Sequence, residues 1–188
     1  MSKRAGITNK DIITIAIEIA NNEGLKEVTM ANLANRLRVK PPSLYNHING
    51  LSDLMNSLTL HALNELFHLL KQAVDNRKKA DAIHTLSIAY LRYARQQPGL
   101  YALTIESVSK KGKEITIIAT QIIDLLTEIL EPYNLGKEDT IHAIRGLRSI
   151  LHGFSSIENQ KGFGMPIDID ESYYYLVSTF IGGLEKDK

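Results

Sequence analysis

Lys40, Ser43, Tyr45, Asn46 and His47 crowd into eight residues of this chain, with the hydroxyl of Thr29 a short way upstream. An ammonium, two hydroxyls, a carboxamide and an imidazole can bond phosphate oxygens or the donor and acceptor edges of bases. Thr29 stands where a helix would open, so its hydroxyl and the free N–H groups behind it can also receive a phosphate. Such groups are useful only if the backbone holds them in one array. The apolar residues between them, Leu33, Ala34, Leu37, Val39 and Leu44, have the spacing of two short helices that cross over a tight turn. The first would run from Met30 to Leu37 and the second roughly from Pro42 to His47, with Ala34 small where the helices must approach. The same spacing also serves two short helices of an ordinary bundle, with Tyr45 and His47 as plain surface residues.

The surrounding chain reads as helix throughout. No sustained apolar/polar alternation predicts a strand. Thr8 and Asp11 form a capping-box pattern ahead of Ile12, Ile15, Ala16 and Ile19, and Gly24 is placed to end that helix in a left-handed conformation. Asn49-Gly50 breaks the chain before a long helix opened by Ser52 or a neighbour. Further helices are expected from about Asp81 to Gln97, stopped by Pro98-Gly99; from Leu100 to Ser107; from Ile115 to near Pro132; from Gly136 through Ile157; and from Asp168 or Asp170 to Leu184. Lys110 to Lys113 and the glycine-rich Gln160 to Ile169 read as loops.

The run Thr29-Met30-Ala31-Asn32-Leu33-Ala34-Asn35-Arg36-Leu37-Arg38-Val39-Lys40-Pro41-Pro42-Ser43-Leu44-Tyr45-Asn46-His47-Ile48 resembles the DNA-binding signature of the TetR/AcrR family of transcriptional regulators, most specifically in Leu44-Tyr45-Asn46-His47. Leu147 to Phe154, with Gly162-Phe163 and Asp170 to Tyr173, is similar to the C-terminal domain type of that family named for a Trp-His-Gly motif. Leu151 stands where the tryptophan would be. The resemblance implies an all-α fold of about nine helices, with a three-helix helix-turn-helix domain over residues 1–50 and an effector-binding and dimerisation domain over 51–188. It implies that Thr29 contacts the DNA backbone and that Lys40, Ser43, Tyr45 and His47 bind phosphates, Tyr45 also lying near bases. Pro41, Pro42 and Asn46 would face the major groove. Arg38 occupies a turn position where the family usually has glycine, and Leu51 replaces a lysine that commonly anchors the next helix to phosphate. Because Pro41 offers no donor, base reading would lean on van der Waals contact, on Asn46 and on a Lys3/Arg4 arm.

The same resemblance implies a ligand-responsive regulator, usually a repressor, that binds operator DNA as a homodimer and is released by a small molecule. The dimer would form through the last two long helices, Asp139–Ile157 and Glu171–Leu184. Polar and aromatic residues set in the middle helices, Tyr90, Tyr93, Tyr101, Glu106, His142, Arg145, Arg148 and His152, are the candidate effector contacts. The 160–169 loop could fold over the partner's pocket. A helical adaptor that binds protein and has lost DNA binding is the alternative.

Composition agrees with a folded chain: 188 residues, 44% hydrophobic and 23% charged. The net charge of +1 is unevenly spread, since residues 1–50 carry seven Lys/Arg against four Asp/Glu while the remainder is mildly acidic. The absence of cysteine excludes a disulfide scaffold and suits a reducing compartment. The N-terminus has no apolar run, and Ile115 to Leu130 is broken by Gln121, Asp124 and Glu128, so neither a signal peptide nor a membrane span is expected. The expected location is the cytoplasm. No nucleophile elbow, glycine-rich phosphate loop or carboxylate pair predicts an enzyme or a cofactor. His61 and His68, with Glu65 between, lack the further ligands that a metal site requires.

Overall fold

A computed structural model describes residues 6–105 and 112–186 of the chain. Among these residues lie nine α-helices, two short 3-10 turns and no strand. The helices are α1 (Asn9–Glu23), α2 (Met30–Arg36), α3 (Pro41–Leu44), α4 (Leu51–Ala73), α5 (Lys79–Gln96), α6 (Pro98–Ile105), α7 (Lys113–Leu130), α8 (Lys137–Asn159) and α9 (Ile169–Lys186). None of them is long and apolar enough to cross a membrane. The chain divides into two compact units, Met1–Asn64 with Gln97–Thr116 and Glu65–Gln96 with Ile117–Lys188. Compactness therefore does not follow chain order, since the first unit includes α6.

Caps expected from sequence are present at both ends of the chain. The Thr8 hydroxyl oxygen accepts from the Asp11 N–H at 3.2 Å, and the Asp11 carboxylate accepts from the Thr8 hydroxyl at 2.7 Å and from its N–H at 2.8 Å, two bonds that lower the Asp11 pKa. Asp168 caps α9 by accepting from the Glu171 N–H at 2.8 Å. At Gly24 the backbone turns at φ 96°, ψ 161°, an extended mirror region open to glycine rather than the left-handed helical form.

The first unit has a core of Ile12, Ala16, Ile19, Leu33, Leu44, Leu54 and Leu58, each fully or almost fully buried. Pro98-Gly99 stops α5 at Gln96 as expected, and the pair also opens α6 two residues ahead of the expected Leu100, because proline is tolerated in a first turn whose N–H groups have no partner. That turn is capped from another element. The Asn21 side-chain oxygen accepts from the N–H groups of Gly99 at 3.0 Å and Leu100 at 3.3 Å, and its amide donates to the Gln97 side chain. The approach requires glycine: a Cβ on residue 99 would lie 2.2 Å from the Ala20 carbonyl oxygen.

In the second unit α5, α8 and α9 pack on one another. Tyr173 of α9 donates its hydroxyl to the Ser87 carbonyl of α5 at 2.9 Å and lies edge-on to Phe154 of α8. Arg95 of α5 bonds Glu158 of α8 at 2.7 Å and also Asp170 of α9.

Gly99→Ala is expected to push α6 off α1 and cost about 3 kcal/mol. That is a fall of roughly 6–12 °C in Tm by calorimetry for a chain of this size. An unchanged Tm would show that the two helices can separate without loss.

Candidate nucleic-acid interface

Two N-terminal helices and the turn between them set out the candidate DNA-contacting side chains. Thr29 caps α2, its hydroxyl oxygen accepting from the Asn32 N–H at 3.1 Å, which leaves the O–H proton able to bond a phosphate. Asn32 in turn donates to the Glu27 carbonyl, and Arg36 at the far end of α2 pairs with Glu23 of α1. The turn that follows is a Schellman motif. Val39 N–H reaches the Ala34 carbonyl at 3.0 Å, Arg38 N–H reaches Asn35 at 3.1 Å, and Arg38 sits at φ 55°. The backbone shape that glycine usually supplies is therefore kept, with an arginine bearing its cost.

Helix α3 is shorter than the sequence implies. It spans Pro41–Leu44 with Lys40 as its cap, and Tyr45 to His47 turn back, the His47 N–H bonding the Leu44 carbonyl at 2.9 Å. Proline fills the first two helical positions, where its fixed φ is already helical. Leu44 points inward and is fully buried, while Lys40, Pro41, Pro42, Tyr45 and Asn46 are exposed and Ser43 and His47 are half-buried. The polar side chains singled out by sequence thus occupy one short outward segment around a buried leucine. From Thr29 to Ser52 the chain carries Arg36, Arg38 and Lys40 and no acidic residue. The positive balance of the N-terminal region is concentrated beside these groups, which favours a polyanion.

Helix α4 opens at Leu51, one residue before Ser52. Asp53 supports that start by accepting the Asn49 N–H at 3.0 Å. Leu51 is 40% exposed and supplies no charge. The Lys3/Arg4 arm lies outside the described residues.

The candidate effector contacts fall on both units. Tyr90 and Tyr93 are buried on α5, and Tyr101 is buried on α6 in the first unit. The Tyr93 hydroxyl bonds the Glu65 carboxylate, and burial with that charge beside it raises the phenol pKa. His142, Arg145 and Arg148 lie exposed on α8 and His152 is half-buried, whereas Glu106 is outside the described residues. No three His, Cys, Asp or Glu side chains gather as a metal site among the described residues. A cleft of about 540 Å³ does open in the second unit between α5 and α9, and other residues line it, among them His84, Leu91, Arg92, Tyr174 and Val177. Sequence reading passed over these because each sits singly in an amphipathic helix. The signal available was Arg92 and Gln96, two polar residues one turn apart beside an apolar stripe.

A family model described as the tetracyclin repressor-like C-terminal domain matches residues 83–180. The chain is 40% identical to the HTH-type transcriptional regulator YobS of Bacillus subtilis, over 98% of this chain and 96% of that one. Among solved structures, a protein of unknown function from Rhodococcus sp. RHA1 superposes with a TM-score of 0.84 at 18% identity, covering 99% of this chain and 100% of that one. The TetR family protein ActR of Streptomyces coelicolor, solved in complex with (S)-DNPA, superposes with a TM-score of 0.67 at 17% identity, covering 96% and 98%. The last two likenesses concern the fold.

Replacing Arg38 by glycine is expected to relieve its left-handed backbone and raise stability by up to about 1 kcal/mol. Thermal unfolding would register this as roughly 2–4 °C in Tm. A lower Tm would mean that the arginine side chain contributes more than the backbone costs.

Proposed function

This chain belongs to the TetR family of HTH-type transcriptional regulators, and on that footing we propose that it acts as a homodimeric repressor released from operator DNA by a small molecule. The observation that carries the proposal is the outward segment Lys40 to His47, free of acids and pivoted on buried Leu44. In this reading residues 1–50 hold DNA and residues 51–188 serve dimerisation and effector binding. Lys40, Ser43, Tyr45 and His47 bind phosphates, Thr29 contacts the backbone at the start of α2, and Pro41, Pro42 and Asn46 lie toward the major groove. Such contacts position the module, and specificity comes from two copies on half-sites about 34–36 Å apart or a multiple of that.

Support for the dimer comes from α8 and α9. Ile141 and Ile157 on α8 and Tyr174 and Tyr175 on α9 are exposed. A Cβ on Gly153, Gly182 or Gly183 would meet nothing within 4 Å. Each glycine inside a helix costs about 1 kcal/mol relative to alanine, and their own chain makes no use of the space. A partner helix crossing closely would.

The ligand reading is supported by the cleft in the second unit and by ActR, which holds a small molecule in the same fold. Helix α4 is covalently shared, its residues to Asn64 belonging to the first unit and the rest to the second. A ligand that binds one tilt of α4 better shifts the population toward it. Coupling of about 1–3 kcal/mol would lower operator affinity some 5–150-fold.

Fluorescence anisotropy against DNA flanking the chain's own gene tests the core of the proposal. Affinity should fall steeply with salt, and Lys40→Ala should reduce the log–log slope by about one. Tyr45→Ala should weaken binding about tenfold at unchanged thermal stability, since Tyr45 is 58% exposed. Salt-independent behaviour, or no binding at low salt, would instead favour a helical adaptor. Tyr175→Glu should shift sedimentation from dimer to monomer while the helical circular dichroism persists; a dimer that survives it would place the interface elsewhere.

A further inference from the structure

We infer that the cleft between α5 and α9 is a binding site for a small amphipathic carboxylate, with Arg92 as the group that receives the carboxylate. The size suits a compact organic molecule: about 540 Å³ lies well within the range of ligand cavities, roughly 300–1,000 Å³. Its floor is apolar, built from Leu91 and Val177, both almost fully buried, with Ile88 at the edge.

The polar groups around that floor are not equivalent. Ser87 donates its hydroxyl to the Ile83 carbonyl at 2.7 Å, and its own carbonyl is taken by Tyr173. Arg95 is committed to Glu158 and Asp170, which also neutralises the one carboxylate in the lining. His84 stacks on Tyr174 with ring centroids 4.4 Å apart and planes 12° apart, and its Nε2 lies 3.4 Å from the Ser178 hydroxyl. Burial lowers the His84 pKa, so this ring is a neutral surface near pH 7.

Arg92 differs from all of these. It is exposed at the rim, one helical turn from Gln96, and makes no hydrogen bond or ion pair among the described residues. A guanidinium over an apolar slot, with an aromatic pair forming one wall, matches a flat or alkyl body that ends in a carboxylate. The fork of Arg92 can hold both oxygens of such a group. A cationic ligand would meet Arg92 directly, and a neutral one would leave it unused.

The proposal rests on the effector-release reading above only for its consequence at DNA. Titration calorimetry of the full chain with 2-naphthoate and with its uncharged isostere 2-naphthamide tests it. Naphthoate should bind saturably, and the amide about tenfold more weakly or worse. Arg92→Gln should cause a similar loss for naphthoate alone, and Arg92→Lys should restore part of it. Lys137→Gln, at the exposed start of α8 and outside this cleft, should bind as the natural chain does. Circular dichroism and Tm verify that each variant is folded.

The inference is overturned if naphthoate fails to saturate up to millimolar concentration, if the amide binds equally well, if Arg92→Gln changes nothing, or if Lys137→Gln abolishes binding. The anisotropy assay separates the two readings. Naphthoate binding through Arg92 with undiminished operator affinity supports the cleft and sinks effector release; loss of operator affinity in the natural chain but not in Arg92→Gln supports both.

Discussion

A helix of four residues cannot hold itself, and the DNA-binding role proposed for this chain depends on one. Isolated helices shorter than about 12–15 residues are marginal in water. Helix α3 exists because Leu44 is driven into the core of the first unit, a burial that contributes about 1.5–3 kcal/mol. Its orientation is set by the Schellman turn before it and by Ile48, almost fully buried after it. Between those inward anchors only outward positions remain, and they carry the ammonium, hydroxyl, amide and imidazole groups. The site is thus a by-product of hydrophobic burial in which the polar residues bear little of the folding load. That is why substitutions at exposed positions such as Lys40 and Tyr45 are expected to leave stability nearly unchanged.

The two units use different means of fixing their helices. In the first, a side chain of α1 caps α6, and the helices meet so closely that residue 99 has no room for a side chain. In the second, α5, α8 and α9 are joined by one guanidinium shared between two carboxylates and by one tyrosine hydroxyl on a backbone carbonyl. The Arg95 ion pairs are partly exposed and worth little individually, on the order of 1 kcal/mol or less. Their consequence for the cleft is chemical: they consume every other charge in the lining and leave Arg92 distinct.

What was legible in the sequence follows from the range of the forces involved. Caps and hydrophobic periodicity act over three or four residues. Thr8 with Asp11, the start of α2 at Thr29, and the all-helical fold could therefore be read directly. The family resemblance marked Arg38 as a turn position where glycine is usual, and its backbone is left-handed there. The outer reach of α3 was overdrawn because the tyrosine, asparagine and histidine after Leu44 are compatible with either helix or turn. Pro98-Gly99 ends α5 as expected, but its place at the head of α6 was not legible, since the reason for that glycine is Ala20, distant in sequence, and no local pattern encodes the approach. The cleft was missed for the same reason: its walls come from α5 and α9.

The paired prolines at the head of α3 have a thermodynamic consequence. On the proposed reading, Pro41 and Pro42 would arrive at a duplex already fixed in φ and lacking amide protons. Little conformational freedom is left there to lose, and the rings offer carbon alone, which complements the methyl of thymine better than the polar edges of guanine or cytosine. Association at such a surface should carry a negative heat-capacity change without the large ordering entropy of a segment that folds on contact. On that reading such a surface would discriminate by shape and methyl placement, and it would tolerate little drift in the sequence it is matched to.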